Sequence, residues 1–514
     1  MTETPRPPLR FGQYDYAGMA CMFSYAACSV IIPLCLVAIA GDLGFSLEDD
    51  PANGGGDDSG GSGGSLGGLL HMARSAAIVA SMLYSGLAAA KWGMTRSLAA
   101  SMLLMAGGMV ACALSPVYGL LLAAVLLAGL GEGIIEALAT PYVQDLHIDQ
   151  PGRYLNFIHG FWSVGIVTAT LGLGFLLDAG VNWRWCFFGL AILLILPYAL
   201  LMAPNAALRA ARRMARQTIS GRGAAEMPAE AAEAAEAAPN AAAPAPRLSH
   251  RGRRLPSHSA ADIWRQAVDI MRRRHFWLFF AAMFFAGGGE FGMTFWIASF
   301  VKVQLQSTFV QAGVATACFA GGMMAGRLLS GVFVPQRHLA RLIVATGLAA
   351  VVGSFVFAAW RPEAPPPETA SAILDQTAEA PLATAPSATA ALATPPPETA
   401  AAAAMSPAMR LGLVFGLLFL IGLATAPFWP SIQSYCADRI PDVDTTMLFI
   451  LLSCAGVPGC GFFTLAMGWV RDRGGFYAAF WLVPAAFLCM SALIAWDVLL
   501  AKKQKNISLP PLPP

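Results

Sequence analysis

Charge is scarce in this 514-residue chain: Asp, Glu, Lys and Arg make up 12% of it, where an average soluble domain has roughly 25%. A net charge of +2 excludes a global pull toward nucleic acid. No Cys-x-x-Cys pair and no Cys/His cluster occurs, which argues against a zinc-type site. A glycine-rich nucleotide loop and a nucleophile–base motif are missing too, so the chain does not read as an enzyme, and no resident cofactor is implied. Ten cysteines are present. Cys21, Cys28, Cys35, Cys112, Cys318, Cys454, Cys460 and Cys489 lie inside apolar runs and read as small packing residues.

What is abundant is apolar sequence, at 57% and in long runs. A bilayer core of about 30 Å takes roughly 20 apolar residues per helix. That ruler predicts twelve spans, at about 14–40, 66–90, 96–114, 117–141, 155–177, 184–203, 276–301, 308–333, 339–359, 409–435, 446–470 and 477–499. The expected class is an all-α membrane protein of two pseudo-symmetric six-helix bundles, 1–203 and 276–501. A basic low-complexity linker, 204–275, joins them, and a tail follows at 502–514. Residues 361–408 form a second low-complexity loop, rich in Ala, Pro and Thr. Neither composition supports a packed core.

Basic residues stay on the cytoplasmic side of a membrane. Lys91 and Arg96, the arginines of 204–275 and the tail lysines therefore place both termini and the central linker in the cytoplasm, with the protein in the cell (inner) membrane. Arg184, Arg471 and Arg473 fall on the other side and are exceptions. The first apolar run is too long for a cleavable signal peptide.

The halves echo each other. Span 5 ends in "GFLLDAG", with Gly174, Asp178 and Gly180; span 11 ends in "GWVRDRG", with Gly468, Asp472 and Gly474. The same GxxxDxG closes corresponding helices, which argues for a duplicated bundle. Transporters built this way bind substrate near the midplane between halves and alternate access to it.

An ionisable residue inside a span is costly and is therefore paired or cavity-facing. Glu132 and Glu136 share one face of span 4. Glu290 sits near mid-depth in span 7, in "AGGGEFGMTFW". Arg74 and His71 are on span 2, His159 is on span 5, and Arg327 ends span 8 in "AGRLLSG". Glu132 and Arg74 can form a structural ion pair. Arg327 reads as an anchor or a latch between halves, Asp178 and Asp472 as structural or gating residues, and His71 as solvated near the outer interface. Glu136 and Glu290 have no basic neighbour on their own helices. A carboxyl group removed from water holds its proton more tightly, which suits a proton carrier; Glu136, Glu290 and Glu132 are the candidates for proton coupling. Gly129 and Gly133 let helices approach closely, and Gly287, Gly288 and Gly289 leave span 7 easy to bend or unwind.

For the solute, the aromatic candidates are Trp162, Trp296 and Trp429, with Phe161, Phe295 and Phe428 beside them. Asn156, His159, Gln433 and Arg74 complete the substrate-binding set. Apolar faces of sugars stack on such rings beside hydrogen-bonding side chains.

At these residues the chain resembles the major facilitator superfamily, and within it the fucose permease-like sugar:proton symporters. Glu136 with "TPYV" at 140–143 is similar to that family's glutamate, four residues, then Pro-aromatic-Val. Asn156, His159, Phe161 and Gly165 resemble its N-x-x-Q-x-F-x-x-x-G run, with His159 in place of the glutamine. "GGGEFGMTFW", "AGRLLSG", "FWPSIQS" and "AGVPGCGFFTLAMGWVRDRGG" are similar in spans 7, 8, 10 and 11. Two positions depart from the pattern. Ala90 stands where the loop 2–3 signature has an aspartate. Ser29, four before Pro33, stands where the sugar symporters that use a span 1 carboxylate place it.

The resemblance implies a secondary active transporter, functional as a monomer, that moves a small polar solute, a sugar foremost, with protons as the coupling ion. Organic-anion transport, Na⁺ coupling and efflux remain open alternatives. So does a non-transporting membrane sensor on the same fold.

Overall fold

In lipid every backbone polar group must be satisfied within the protein, so apolar runs of this length fold as helices. The computed structural model describes residues 11–47, 63–147, 151–203, 260–360, 406–440 and 443–507. Among them are twelve helices long and apolar enough to cross a membrane. In the first half these are Gln13–Leu43, Gly63–Ala89, Met94–Ala113, Tyr118–Val143, Gly160–Asp178 and Trp183–Met202, here spans 1 to 6. Spans 7 to 12 are Arg274–Gln304, Phe309–Gly331, Gln336–Ala359, Ala408–Arg439, Met447–Phe480 and Leu482–Ala501. Each lies on one of the runs expected from the sequence.

Two details sharpen the bounds. The helix Thr445–Phe480 contains Gly475 at φ +74°, where the chain turns. Such a backbone is open to glycine and strained for other residues, so span 11 ends at the GxxxDxG motif and 476–480 lead into span 12. Ahead of span 7, Ala260–Met271 is helical and buries Ala267 and Ile270. The linker expected to run through 275 therefore ends in a packed helix. Residues 204–259, 361–405 and 508–514 lie outside the described ones, as does the acidic segment 48–62.

The packing repeats. Spans 1 and 5, 2 and 4, 3 and 6, 3 and 4, and 1 and 6 touch in the first half. Spans 7 and 11, 8 and 10, 9 and 12, 9 and 10, and 7 and 12 touch in the second. Every pair maps onto its partner by adding six. The main contacts between halves are span 2 with span 11 and span 5 with span 8, and these two exchange under the same operation. That is the pseudo-two-fold expected of a duplicated bundle.

All ten cysteines are free thiols, as packing residues should be. Arg184 is held by Asp42 of span 1 and by the Ser115 carbonyl, and Arg471 donates to the Leu47 carbonyl. Two of the three arginines at the end away from the chain termini are thus ties between segments.

Candidate functional site

Prolines set up the site by freeing carbonyls. Pro33 lies inside span 1 and has no N–H for the carbonyl four residues back. That carbonyl belongs to Ser29, and Arg74 Nη1 of span 2 donates to it at 3.0 Å. The rest of the guanidinium meets Glu132 of span 4, with Nε 2.9 Å from Oε2 and 3.0 Å from Oε1. Both side chains are buried, at 3% and 0% exposure. Gly129 and Gly133 make this possible: a Cβ on Gly129 would meet the Arg74 carbonyl at 2.7 Å, and one on Gly133 would strike the Ile78 carbonyl. Where the sugar symporters place a carboxylate on span 1, this chain has a carbonyl that holds an arginine.

The second half uses the same device. Pro430 leaves the Ala426 carbonyl without its helical partner, and Arg327 Nε of span 8 donates to it over a long 3.4 Å. Arg327 Nη2 lies 3.3 Å from Glu290 Oε1 of span 7. Its guanidinium carbon sits 5.1 Å from the ring centre of Trp162 on span 5, within cation–π range. Arg327 also acts electrostatically on Glu136 of span 4, which lies near Tyr25 of span 1. Arg327 thus touches a carboxylate of its own half and acts at longer range on one of the other half. Arg327, expected as an anchor or a latch between halves, contacts Trp162 of the first half as well as Glu290 of its own.

Counted together, Glu132, Glu136 and Glu290 face two guanidinium groups, Arg74 and Arg327. Glu132 and Arg74 neutralise each other, so neither is free for a solute or for a proton carried on its own. The unbalanced carboxylate belongs to the Glu136–Arg327–Glu290 group. Sequence reasoning missed this because the cation comes from another span.

The remaining candidates divide. Trp162 and Trp429 are half-buried. Trp296 is 1% exposed and donates its indole N–H to the Thr464 carbonyl at 3.1 Å, which fastens span 7 to span 11. Phe295 and Phe428 are core side chains. Gln433 ties span 10 to span 11 through Ser453 Oγ, 3.3 Å, and the Phe449 carbonyl, 3.5 Å. Asn156 and His159 are on the helix Pro151–Asp178, but their side chains lie outside the described ones. His71, expected to be solvated, is 3% exposed and stacks on Phe291 with ring centres 4.3 Å apart. The helix of span 7 runs unbroken from Arg274 to Ser299. Its glycines serve close packing: Gly287 abuts Gly456, while Gly288 and Gly289 lie under the rings of Phe463 and Phe487.

The ends of spans 5 and 11, away from the chain termini, carry a matched pair of contacts. Asp178 accepts the amides of Phe309 and Val310 at 2.7 and 2.8 Å, at the start of span 8. Asp472 accepts those of Gly64 and Ser65 at 2.6 and 2.7 Å, at the start of span 2. A carboxylate at a helix start meets unpaired N–H groups and the positive end of the helix dipole. One turn before each aspartate, Gly174 and Gly468 let the partner backbone approach; a Cβ on Gly174 would meet the Phe309 carbonyl at 2.7 Å. One further turn back, Thr170 and Thr464 face Gly313 and Gly68. The GxxxDxG motif is thus a pair of clamps between halves, and the sequence echo extends to "TLGLGFLLD" and "TLAMGWVRD".

Comparison with known proteins agrees with the fold. Solved structures of similar fold include a D-xylose-proton symporter, 13% identical with TM-score 0.59 over 94% of this chain and 96% of that one. The xylose transporter XylE from E. coli, in a partially occluded inward open conformation, is 12% identical with TM-score 0.57 over 94% and 98%. The E. coli fucose:proton symporter FucP is 14% identical with TM-score 0.53 over 94% and 98%. Among curated sequences, the efflux pump dotC of Dothistroma septosporum is 34% identical over 92 residues, 18% of this chain and 16% of that protein. The match thus spans about a sixth of that relative. The family model of the Major Facilitator Superfamily matches residues 17–416, and the chain, an integral membrane protein with the twelve-span all-α fold, belongs to that superfamily.

Proposed function

We propose that this protein is a proton-coupled secondary transporter of a small polar solute, a sugar or related polyol foremost, working by alternating access in the cytoplasmic membrane. The observation that carries the reading is the group Glu136–Arg327–Glu290. Its guanidinium contacts Glu290 of the second half at 3.3 Å and acts electrostatically on Glu136 of the first, so two carboxylates share the field of one cation. A proton on either glutamate balances the excess negative charge. Protonation of Glu290 frees Arg327 to turn toward Glu136, and protonation of Glu136 leaves Arg327 with Glu290, which links protonation to the contact between halves. Trp162, beside Arg327, and the half-buried Trp429 offer ring faces to the solute. The motif likeness to sugar:proton symporters, and the xylose and fucose symporters among the proteins of similar fold, support a sugar over other polar solutes.

In this reading both termini are cytoplasmic, the protein works as a monomer, and the conformation described is sealed at the end away from the termini by the Asp178 and Asp472 clamps. Glu132 and Arg74 act as a fixed ion pair that braces spans 1, 2 and 4. The test is a solute panel in proteoliposomes with imposed proton and sodium gradients. Uptake of a sugar or polyol that rises with an inward proton gradient supports the reading. Uptake driven by sodium and indifferent to pH contradicts proton coupling, and preferential uptake of organic acids contradicts the solute class.

A further inference from the structure

Span 2 crosses spans 7 and 11, and four buried polar atoms on spans 2 and 7 have no hydrogen-bond partner among the described residues. They are both ring nitrogens of His71, the hydroxyl of Ser75 and Oε2 of Glu290. His71 and Ser75 are one helical turn apart and share a face of span 2. The His71 ring lies flat on Phe291, the planes 4° apart, and Phe291 follows Glu290 in the chain. Ser75 presses on span 11, where a Cβ built on Gly461 would come within 2.9 Å of its hydroxyl. The neighbouring Cys460 donates its thiol at 3.3 Å to the carbonyl of Gly287, three residues before Glu290.

Folded proteins leave few buried side-chain polar atoms unpaired, because an unmade hydrogen bond costs more than a made one contributes. Stacking explains the orientation of His71 but satisfies neither nitrogen. Phenylalanine would stack as well on Phe291, and alanine would fit as well against Gly461. What His71 and Ser75 add is hydrogen-bonding capacity that no described protein group receives.

We infer that His71, Ser75 and Glu290 form a hydroxyl-binding subsite for a neutral polyhydroxylated solute, with His71 setting which hydroxyl pattern is accepted. The inference rests on the solute-transport reading above. A neutral imidazole offers one donor and one acceptor, a serine hydroxyl offers both, and the carboxylate oxygen accepts. Vicinal hydroxyls, each able to donate and accept, complement that set. An organic acid would bring its own carboxylate toward Glu290. His71 and Ser75 belong to one half and Glu290 to the other, so a solute bound here touches both.

The test uses two variants in proteoliposomes. His71→Phe keeps the stack and removes both nitrogens. Ser75→Ala removes a single oxygen, which keeps the test open if His71→Phe does not insert. Initial uptake is measured over a range of concentrations for aldoses and their singly deoxygenated analogues, with an organic acid as control. A site built to hydrogen-bond a hydroxyl discriminates strongly against its loss. Each variant is therefore expected to raise the KM of a transported sugar about tenfold, and to bring it level with that of one deoxy analogue. An unchanged KM, or the same shift for the sugar and every deoxy analogue, overturns the subsite. Wild-type protein that moves no neutral polyhydroxylated solute sinks the transport reading instead. Wild-type protein that moves one, with discrimination unaltered in both variants, sinks only the subsite.

Discussion

Asp178 and Asp472 occupy equivalent places in the two halves, and each caps the first turn of a helix in the opposite half. The two clamps close the same end of the molecule, the end at which spans 5 and 11 finish and spans 2 and 8 begin. A carboxylate at a helix start contributes about 1 kcal/mol through its hydrogen bonds and the dipole. Asp178→Asn and Asp472→Asn each retain an acceptor and lose the charge. Each is expected to shift the molecule toward states open at this end, and the double variant further. Distances between spin labels at the starts of spans 2 and 8 and the ends of spans 11 and 5 check this. Distributions that match wild type would show that the clamps do not govern opening.

The glycines one turn before the aspartates make a separate prediction. At Gly468 an added Cβ would overlap the Gly64 carbonyl, which is backbone and cannot move without moving span 2. Gly468→Val is expected to hold this end apart and abolish transport, while the protein still inserts and remains monodisperse in detergent. Chemical labelling of a cysteine placed at Ser65 should become faster. The reverse result, slow labelling with transport intact, would count against close approach as the function of this glycine.

The Arg74–Glu132 pair predicts a stability effect distinct from a transport effect. Removing one partner of a buried ion pair leaves an uncompensated charge and costs about 3–5 kcal/mol, whereas replacing both with apolar residues is often close to neutral. Glu132→Leu is expected to lower the melting temperature markedly, and Arg74→Met with Glu132→Leu to recover most of the loss. Thermal unfolding in detergent measures both. If the double variant is as unstable as the single one, the Ser29 carbonyl is the partner that matters, since it too loses its donor.

Much of the architecture was legible in the sequence, and the reasons are physical. Length and hydropathy determine a membrane helix almost alone, so all twelve spans could be read from apolar runs. The GxxxDxG echo marked corresponding helix ends correctly, because a close approach requires glycine and a helix start draws a carboxylate. Pairing within the site was legible only in part. Arg74 and Glu132 were within reach of a guess, being two charges in an apolar setting. The Arg327–Glu290 contact was not, since it depends on how spans 7 and 8 are turned toward one another and on the carbonyl that Pro430 frees. His71 was misjudged for a related reason: depth along a helix was used, and the covering ring of Phe291 comes from span 7. Trp296 shows the same limit, as its partner, the Thr464 carbonyl, is a backbone atom that no residue type advertises.

Arg327 predicts a difference between conservative and radical replacement. Its guanidinium reaches Glu290, the Ala426 carbonyl and the Trp162 ring together, which a lysine ammonium cannot do at once. Arg327→Lys is expected to retain weak uptake, lowered about tenfold or more by the lost contacts. Arg327→Ala is expected to abolish proton-driven uptake. Equal activity of the lysine variant and wild type would show that a point charge suffices there.

The most direct measurement of the central claim follows protons with the solute in the absence of an imposed gradient. Proteoliposomes in weakly buffered medium receive the transported sugar, and the external pH is recorded. The medium is expected to become alkaline as sugar and protons enter together. With Glu136→Gln no pH change is expected, while exchange of internal for external sugar continues, because exchange does not require the proton to be released. Sugar uptake by the wild type without proton movement, or undiminished proton movement with Glu136→Gln, would contradict the central claim.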